Sequence, residues 1–495
     1  MTSSSTSFSL RAISFWLILC GFVSGCPKVE EKPAAVTKPF SGTTIVVAAP
    51  AGYQFAANWR ILLDEWSEQT GATAEVREYP AGPADQPIDQ LLAPEVPNSL
   101  KDADLLIFSP TEFGELGGAK RLMTLVPEQK PVLERIHWID LFQGLRENGA
   151  SLQRFPTVVP LASPVLVLYY RRDLLEKAGL KPPRTWEDYQ KLLDTLDKWA
   201  PGLTAVEPWS ENFRATMFLA RAVNWVKHPE NYSVFFNIDD GAPLIDSPGF
   251  VRALEATLAA VARMPKEVRD YSPADCRKEI FAGKAALATC YERGPAGGQV
   301  EALTRKEGIQ VGVVRLPGTV QIYNRSTNSW NAPRDEQVNH VTLTGFAGMC
   351  GGVASASPSV EAQAAWSLLA TLAIDRYESA FSEMPRSPTR KSHTGRPEAW
   401  SGPELVADEP LQYLDAVADS LQDHRLVVEL PVVGARQFRQ ALTVGIGKAL
   451  ADPGDPRKRL QEIAAEWNAI VEKVGAKRVA NSYRRVLGLP PLTDR

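Results

Sequence analysis

Cysteine and histidine are both scarce, with five of each in 495 residues. Cys20 falls inside an N-terminal leader and Cys26 directly follows it. The remaining Cys276, Cys290 and Cys350 are odd in number, so at most one intramolecular disulfide can form and one thiol stays free or buried. Buried structural thiols are the expectation. No CxxC occurs, and the spacings do not make a zinc site. His137, His228, His340, His393 and His424 show no HExxH or paired spacing, and a GxSxG elbow is missing. The nearest phosphate-loop candidate, Gly445-Ile446-Gly447-Lys448, lacks the Walker spacing and runs into Ala449 rather than Ser or Thr. No metal, cofactor or catalytic residue is therefore expected. Carboxylates are plentiful, but nothing singles out the pair that a glycosidase needs.

A dominant charge is lacking too. Lys and Arg number 54 against 58 Asp and Glu, and loss of the leader's single Arg11 moves the formal net charge from −4 to −5. That excludes a general basic surface for nucleic acid or for an anionic membrane. Long apolar runs are also rare. Ala12–Val23 has about the length of a signal-peptide core and is too short to span a bilayer comfortably. It ends in Val23-Ser24-Gly25-Cys26, small residues before a Cys, which resembles a bacterial lipobox whose sulfur takes a diacylglycerol. An ordinary secretory signal with an incidental Cys26 is the alternative. The expected organisation is a signal peptide over residues 1–25, then a flexible tether over 26–41, which is charged, Pro-containing and without periodicity.

What is present is apolar mass. At 44% hydrophobic and 23% charged, the chain can fill two or more cored lobes. Thr43–Ala49 reads as a short buried strand, Phe55–Gln69 as a helix with Phe55, Trp59, Leu62, Leu63 and Trp66 at helical spacing, and Thr73–Glu78 as a second strand. This opening predicts an α/β fold with helices on the faces of a parallel sheet. Ligands of such sheets sit beyond the carboxyl ends of strands, which points to Gly52, Tyr53 and Gln54.

The most informative stretch is Val159–Leu193. An apolar run, Val165–Tyr170, suits a strand buried on both faces, and Arg171-Arg172-Asp173 starts a short helix that Gly179 stops. Pro182-Pro183 forces an extended spacer, and Thr185 caps the next helix with Glu187 and Asp188 in its first turn. This block resembles the strand, capped turn and Thr-Trp helix start of the family 1 extracellular solute-binding proteins, the ligand receptors of ABC importers. Further blocks are similar to the same family: Ala103–Leu125, Leu203–Ala222, Tyr271–Cys290, the Gly351-Gly352…Ser357…Glu361…Ala365-Trp366 segment, and Pro388-Thr389-Arg390-Lys391. Helices are expected at Gly249–Ala262, Leu411–Leu421, Gln437–Leu450 and Asp455–Val474. No internal repeat is evident.

The resemblance implies a two-lobed, periplasmic-binding-protein-like (type II) fold with discontinuous lobes around a hinge. Lobe 1 would take residues 42–158 and 316–378, and lobe 2 residues 160–312 and 382–495, with crossings near 157–163, 309–316 and 377–386. It implies a small solute, similar to the sugars of maltose and oligosaccharide receptors, clasped between the lobes and passed to an ABC permease, with the membrane reached through the lipid anchor. A sensor lipoprotein that signals to a membrane kinase and a secreted carbohydrate-active enzyme are the alternatives. Carried over position by position, the ligand-facing residues would be Tyr53, Phe108, Thr111, Glu112, Tyr170, Trp209, Glu292 and Arg390. Phe108 and Trp209 read equally as core aromatics. The maltose-type pattern has Asp-Arg where this chain has Thr111-Glu112, and many members carry Gly-Trp where it has Tyr291-Glu292.

Overall fold

The computed structural model describes residues 38–80, 101–292, 303–333, 337–375 and 387–493. The leader, Cys26, most of the expected tether and the expected third crossing at 377–386 lie outside them. The folded chain begins slightly earlier than the sequence suggests. Phe40, expected in the tether, is buried, and its N–H donates to the Thr70 carbonyl at 2.9 Å.

Nine strands build the two larger sheets among the described residues. In chain order they are β1 (Thr44–Pro50), β2 (Thr73–Tyr79), β3 (Leu105–Phe108), β4 (Val159–Ala162), β5 (Val167–Arg171), β6 (Thr204–Val206), β7 (Ala285–Cys290), β8 (Val311–Arg315) and β9 (Met349–Val353). The first sheet, in the order β2-β1-β3-β9-β4, defines lobe 1. Its β1 pairs in parallel with β2 and β3, while β9 runs antiparallel to β3 and β4. The second sheet, β8-β5-β7-β6, defines lobe 2. The lobes are discontinuous as expected, because β9 returns to the first sheet after four strands spent in the second. Residues 163–166 make the first crossing, and the second lies between Arg315 and Met349.

Ten helices of nine residues or more are described: α1 (Arg60–Thr70), α2 (Trp186–Asp194), α3 (Arg214–Val226), α4 (Pro248–Val261), α5 (Pro273–Phe281), α6 (Ser359–Ala370), α7 (Glu409–Gln422), α8 (Ala435–Ala451), α9 (Pro456–Val474) and α10 (Ala476–Val486). Local chemistry sets their ends. The Thr185 hydroxyl accepts from the Asp188 N–H at 3.1 Å and the Asp188 carboxylate accepts from the Thr185 N–H, a reciprocal cap that fixes the start of α2. Gly179, at φ +67°, ends the helix before it. In lobe 1, α6 covers β1 and β3, and the Trp66 indole of α1 donates to the Ser367 hydroxyl at 3.2 Å. In lobe 2, α5 covers β7, α7 covers β8, and α3 packs on α4 and α8.

Two differences from the sequence reading have physical causes. The helix expected over Phe55–Gln69 is broken at Trp59, whose buried ring lies 4.5 Å from that of Phe55. Helix α10 was not anticipated, because Gly475 (φ +102°) interrupts the period and only Val479, Tyr483 and Val486 mark its apolar stripe. It also reaches across to lobe 1. Although inside 382–495, α10 packs on the lobe 1 helix Phe113–Gly118 as well as on α9. Cys276, Cys290 and Cys350 are free and buried, as expected.

Candidate functional site

Three of the eight residues singled out from the sequence gather beyond the carboxyl ends of the lobe 1 strands. Tyr53 follows β1, is half-buried, and stacks on Phe55 with ring centroids 5.3 Å apart. Burial pushes its hydroxyl above the ordinary tyrosine range. Thr111 and Glu112 follow β3 in a short turn capped by Ser109, whose hydroxyl lies 3.0 Å from that of Thr111. Glu112 is buried, and Arg436 from the first turn of α8 donates its Nε–H to the carboxylate at 2.9 Å. Burial raises the Glu112 pKa, and the guanidinium pulls it partly back. Because α8 packs on α3 of lobe 2, this ion pair joins the lobes.

Residues that the sequence reading missed complete the group. The turn 345–348 precedes β9 and therefore lies beside 109–112, since Cys350 pairs with Phe108. Gly345, at φ +116°, leaves no room to spare: an added Cβ would meet Val428 at 3.1 Å and Thr111 at 3.7 Å. Ala347 is held at φ +56°, a conformation an L-residue adopts only when its surroundings enforce it. Between them, Phe346 is half-buried and meets Phe213 of lobe 2 edge-on, at 5.1 Å and 83°. The Arg439 guanidinium lies 4.1 Å from the centre of the Phe346 ring and donates to buried Glu429 at 2.9 Å. Glu429 also accepts from the Thr216 hydroxyl at 2.8 Å. Phe346 had a usable signal, an aromatic in a glycine-flanked turn between two strands. Arg436 and Arg439 stand one turn apart at a helix start, which in sequence is indistinguishable from a solvated face.

The other five expected site residues stand elsewhere, and each has a reason. Phe108 is fully buried inside β3. Tyr170 points to the opposite face of β5 from Tyr169 and covers Gly312, where an added Cβ would come within 2.2 Å of its ring. Trp209 is fully buried; its indole N–H donates to Glu207 at 3.0 Å, and Glu207 in turn holds Arg221 at 2.6 Å. Glu292 is fully buried and grips Arg277 through two hydrogen bonds of 2.7 Å, while Tyr169 donates to it at 2.6 Å. Arg390 is buried and donates to the carbonyls of Ile136 and His137 in lobe 1, while residues 391–395 after it pack on α7 of lobe 2. These charges are spent within the protein on networks that fix loops.

A site with half-exposed aromatic faces, flanked by paired carboxylates and guanidinium groups and contributed by both lobes, suits a polyhydroxylated solute. Tyr53 and Phe346 are half-buried, while Glu112 and Glu429 are buried and paired with Arg436 and Arg439. A family model described as "Bacterial extracellular solute-binding protein" matches residues 63–407, well over half of the chain, and the chain belongs to that family. It is 25% identical over 268 residues to a "Probable ABC transporter-binding protein" of Deinococcus radiodurans, a match covering 51% of this chain and 58% of that relative. Solved structures share the two-lobed fold. The sugar-binding protein MalE of Xanthomonas citri superposes with a TM-score of 0.62 at 18% identity, covering 87% of this chain and 98% of that one. A solute-binding protein of Agrobacterium radiobacter in complex with ribitol gives 0.59 at 19% identity, covering 88% and 100%. Maltose-bound MalE3 of T. maritima gives 0.56 at 18% identity, covering 86% and 100%. Family and fold are those of binding proteins rather than enzymes.

Proposed function

We propose that the protein captures a sugar or polyol between its lobes outside the cytoplasm and delivers it unaltered to an ABC permease. The observation that carries this reading is the convergence of Thr111, Glu112 and Phe346 from lobe 1 with Phe213, Arg436 and Arg439 from the lobe 2 side. Relatives sharing the fold are described with maltose or ribitol, which supports the solute class. The Glu112–Arg436 pair acts as a latch across the cleft, and ligand-driven hinge closure brings its two sides together. Phe346→Ala is expected to weaken binding of whichever member of a maltose, ribitol and mannitol panel binds by about tenfold, the equivalent of ~1.4 kcal/mol. Calorimetry on the variant checks this, and unchanged affinity removes Phe346 from the site.

The anchor belongs to the same proposal. Cys26 would carry diacylglycerol after cleavage of residues 1–25, with residues 27–39 as the tether. The motivating feature is Val23-Ser24-Gly25-Cys26. Cys26→Ala is expected to move the protein from the detergent phase to the aqueous phase, or to block processing. A mature Cys26→Ala protein still in the detergent phase refutes the anchor.

A further inference from the structure

A pocket of about 590 Å³ lies between the lobe 1 helix Phe113–Gly118 and α10, and none of the cleft residues named above lines it. Its charge is one-sided. Arg121, Lys477, Arg478 and Arg485 line it against a single carboxylate, that of buried Glu115. The chain as a whole holds more acid than base, so the excess is local. Arg484 on the same helix shows how arginines here are ordinarily spent, since its guanidinium donates to the Pro490 and Ile238 carbonyls. The side chains of Arg478 and Arg485 have no hydrogen bond or ion pair to any described residue. Both are within reach of solvent, Arg478 exposed and Arg485 half-buried.

Their spacing lets them act together. Arg478, Asn481 and Arg485 follow one another at three and four residues, on one face of α10. The two arginines start about 10 Å apart along the helix axis, so their long side chains can meet over Asn481. The Asn481 Oδ1 is taken by the Leu492 N–H at 2.6 Å, which leaves the amide N–H groups as donors. Arg478 also stands in the first turn of α10, which holds no acidic residue and whose macrodipole disfavours a cation. An anion beside Arg478 and Arg485 offsets that cost and their mutual repulsion. Gly118 lets the opposite wall come close, because an added Cβ would meet Ser482 and Val433 at 3.3 Å, and Arg121 beyond it lines the same pocket.

We infer that this pocket binds a phosphate monoester, either free in solution or at the head of a lipid. Arg478 and Arg485 each present a planar fork to its oxygens, and Asn481 donates between them. A phosphate monoester offers more acceptor oxygens and more charge than a carboxylate, which suits donors arriving from several sides. The pocket leaves room for the body to which the phosphate is attached. The site is separate from the solute cleft, and its occupancy does not depend on the identity of the solute.

The test uses the full mature chain carrying Cys26→Ala, so that no anchor contributes to vesicle binding. Glycerol 3-phosphate is titrated by calorimetry at low ionic strength, where screening is weakest. Vesicles of phosphatidylcholine with about one quarter phosphatidate are sedimented with the protein, beside vesicles of phosphatidylcholine alone. The expected result is saturable binding of at least one phosphate probe, for glycerol 3-phosphate with Kd below about 1 mM. Binding of the ester alone assigns the site to free phosphates, and binding of the phosphatidate vesicles alone assigns it to lipid. Glycerol and acetate are expected to bind weaker by about tenfold or more. Arg478→Gln with Arg485→Gln is expected to weaken probe binding by about tenfold or more, with the urea midpoint and the solute affinity of the cleft unchanged. Arg457→Gln with Lys458→Gln, at the exposed start of α9, removes the same charge and is expected to leave probe binding within about twofold. No binding of the ester up to about 10 mM together with no preference for phosphatidate vesicles overturns the proposal. Equal binding of acetate, unaltered binding in the Arg478→Gln/Arg485→Gln variant, or an equal loss in the Arg457→Gln/Lys458→Gln variant overturns it as well.

Discussion

Trp209→Ala is expected to lower the stability of the unliganded protein by about 3–5 kcal/mol, the usual cost of truncating a buried Trp. The ring is fully buried, and its indole N–H is one of the bonds that hold Glu207 in place. Urea unfolding of the variant should show a clear fall in midpoint, and Trp209→Phe should lose less because it keeps most of the ring. The sequence allowed the opposite outcome, a stacking platform whose loss weakens solute binding and leaves stability untouched. A variant that unfolds like the parent but binds about tenfold more weakly would restore that reading.

Arg277→Met is expected to be as damaging. Arg277 is the shared counter-charge of two buried carboxylates, at 2.7 Å from both Glu292 and Glu404. Burial works against its charge, but Glu292 outweighs that and carries its pKa above the ordinary value. Removing one partner of a buried ion pair costs on the order of 3–5 kcal/mol, because the remaining charges stay desolvated. Adding Glu292→Gln and Glu404→Gln to Arg277→Met should recover part of the loss, since neutral amides tolerate burial better. If Arg277→Met alone unfolds at the parent's urea midpoint, the triad is not structural. Glu292 would then return to the list of solute-facing groups.

Much of the architecture was legible because its signals are local. A strand buried on both faces, a reciprocal Thr185–Asp188 cap and a left-handed Gly179 depend on neighbours within a few residues, and all three are present, the strand running Val167–Arg171 instead of Val165–Tyr170. Tyr53, Thr111 and Glu112 follow strand ends of the first sheet, a placement that local sequence announces, although Glu112 is buried there. Glu292 and Arg390 read as site residues because isolated charges in loops look available. Their partners, Arg277 and the Ile136 carbonyl, lie 15 and 254 positions away in sequence. Trp209 misled for the same reason, since polar Ser210-Glu211-Asn212 beside it says nothing about which way the indole turns. Conversely, Arg436 meets Glu112 across 324 positions, a pairing that no sequence period announces. Phe213 and Phe346 come together only because two separate sheets face each other.

The central claim is that an intact sugar or polyol is held between the lobes by the loops after β1, β3 and β6 and the turn before β9. Hydrogen–deuterium exchange, read by mass spectrometry with and without each member of a sugar and polyol panel, tests it most directly. The account predicts that at least one member slows exchange together in the segments around 109–112, 211–214 and 345–348, which come from both lobes, and that the same solute is recovered at its original mass. Protection confined to one lobe, protection by no member of the panel, or recovery of a cleaved solute would contradict it.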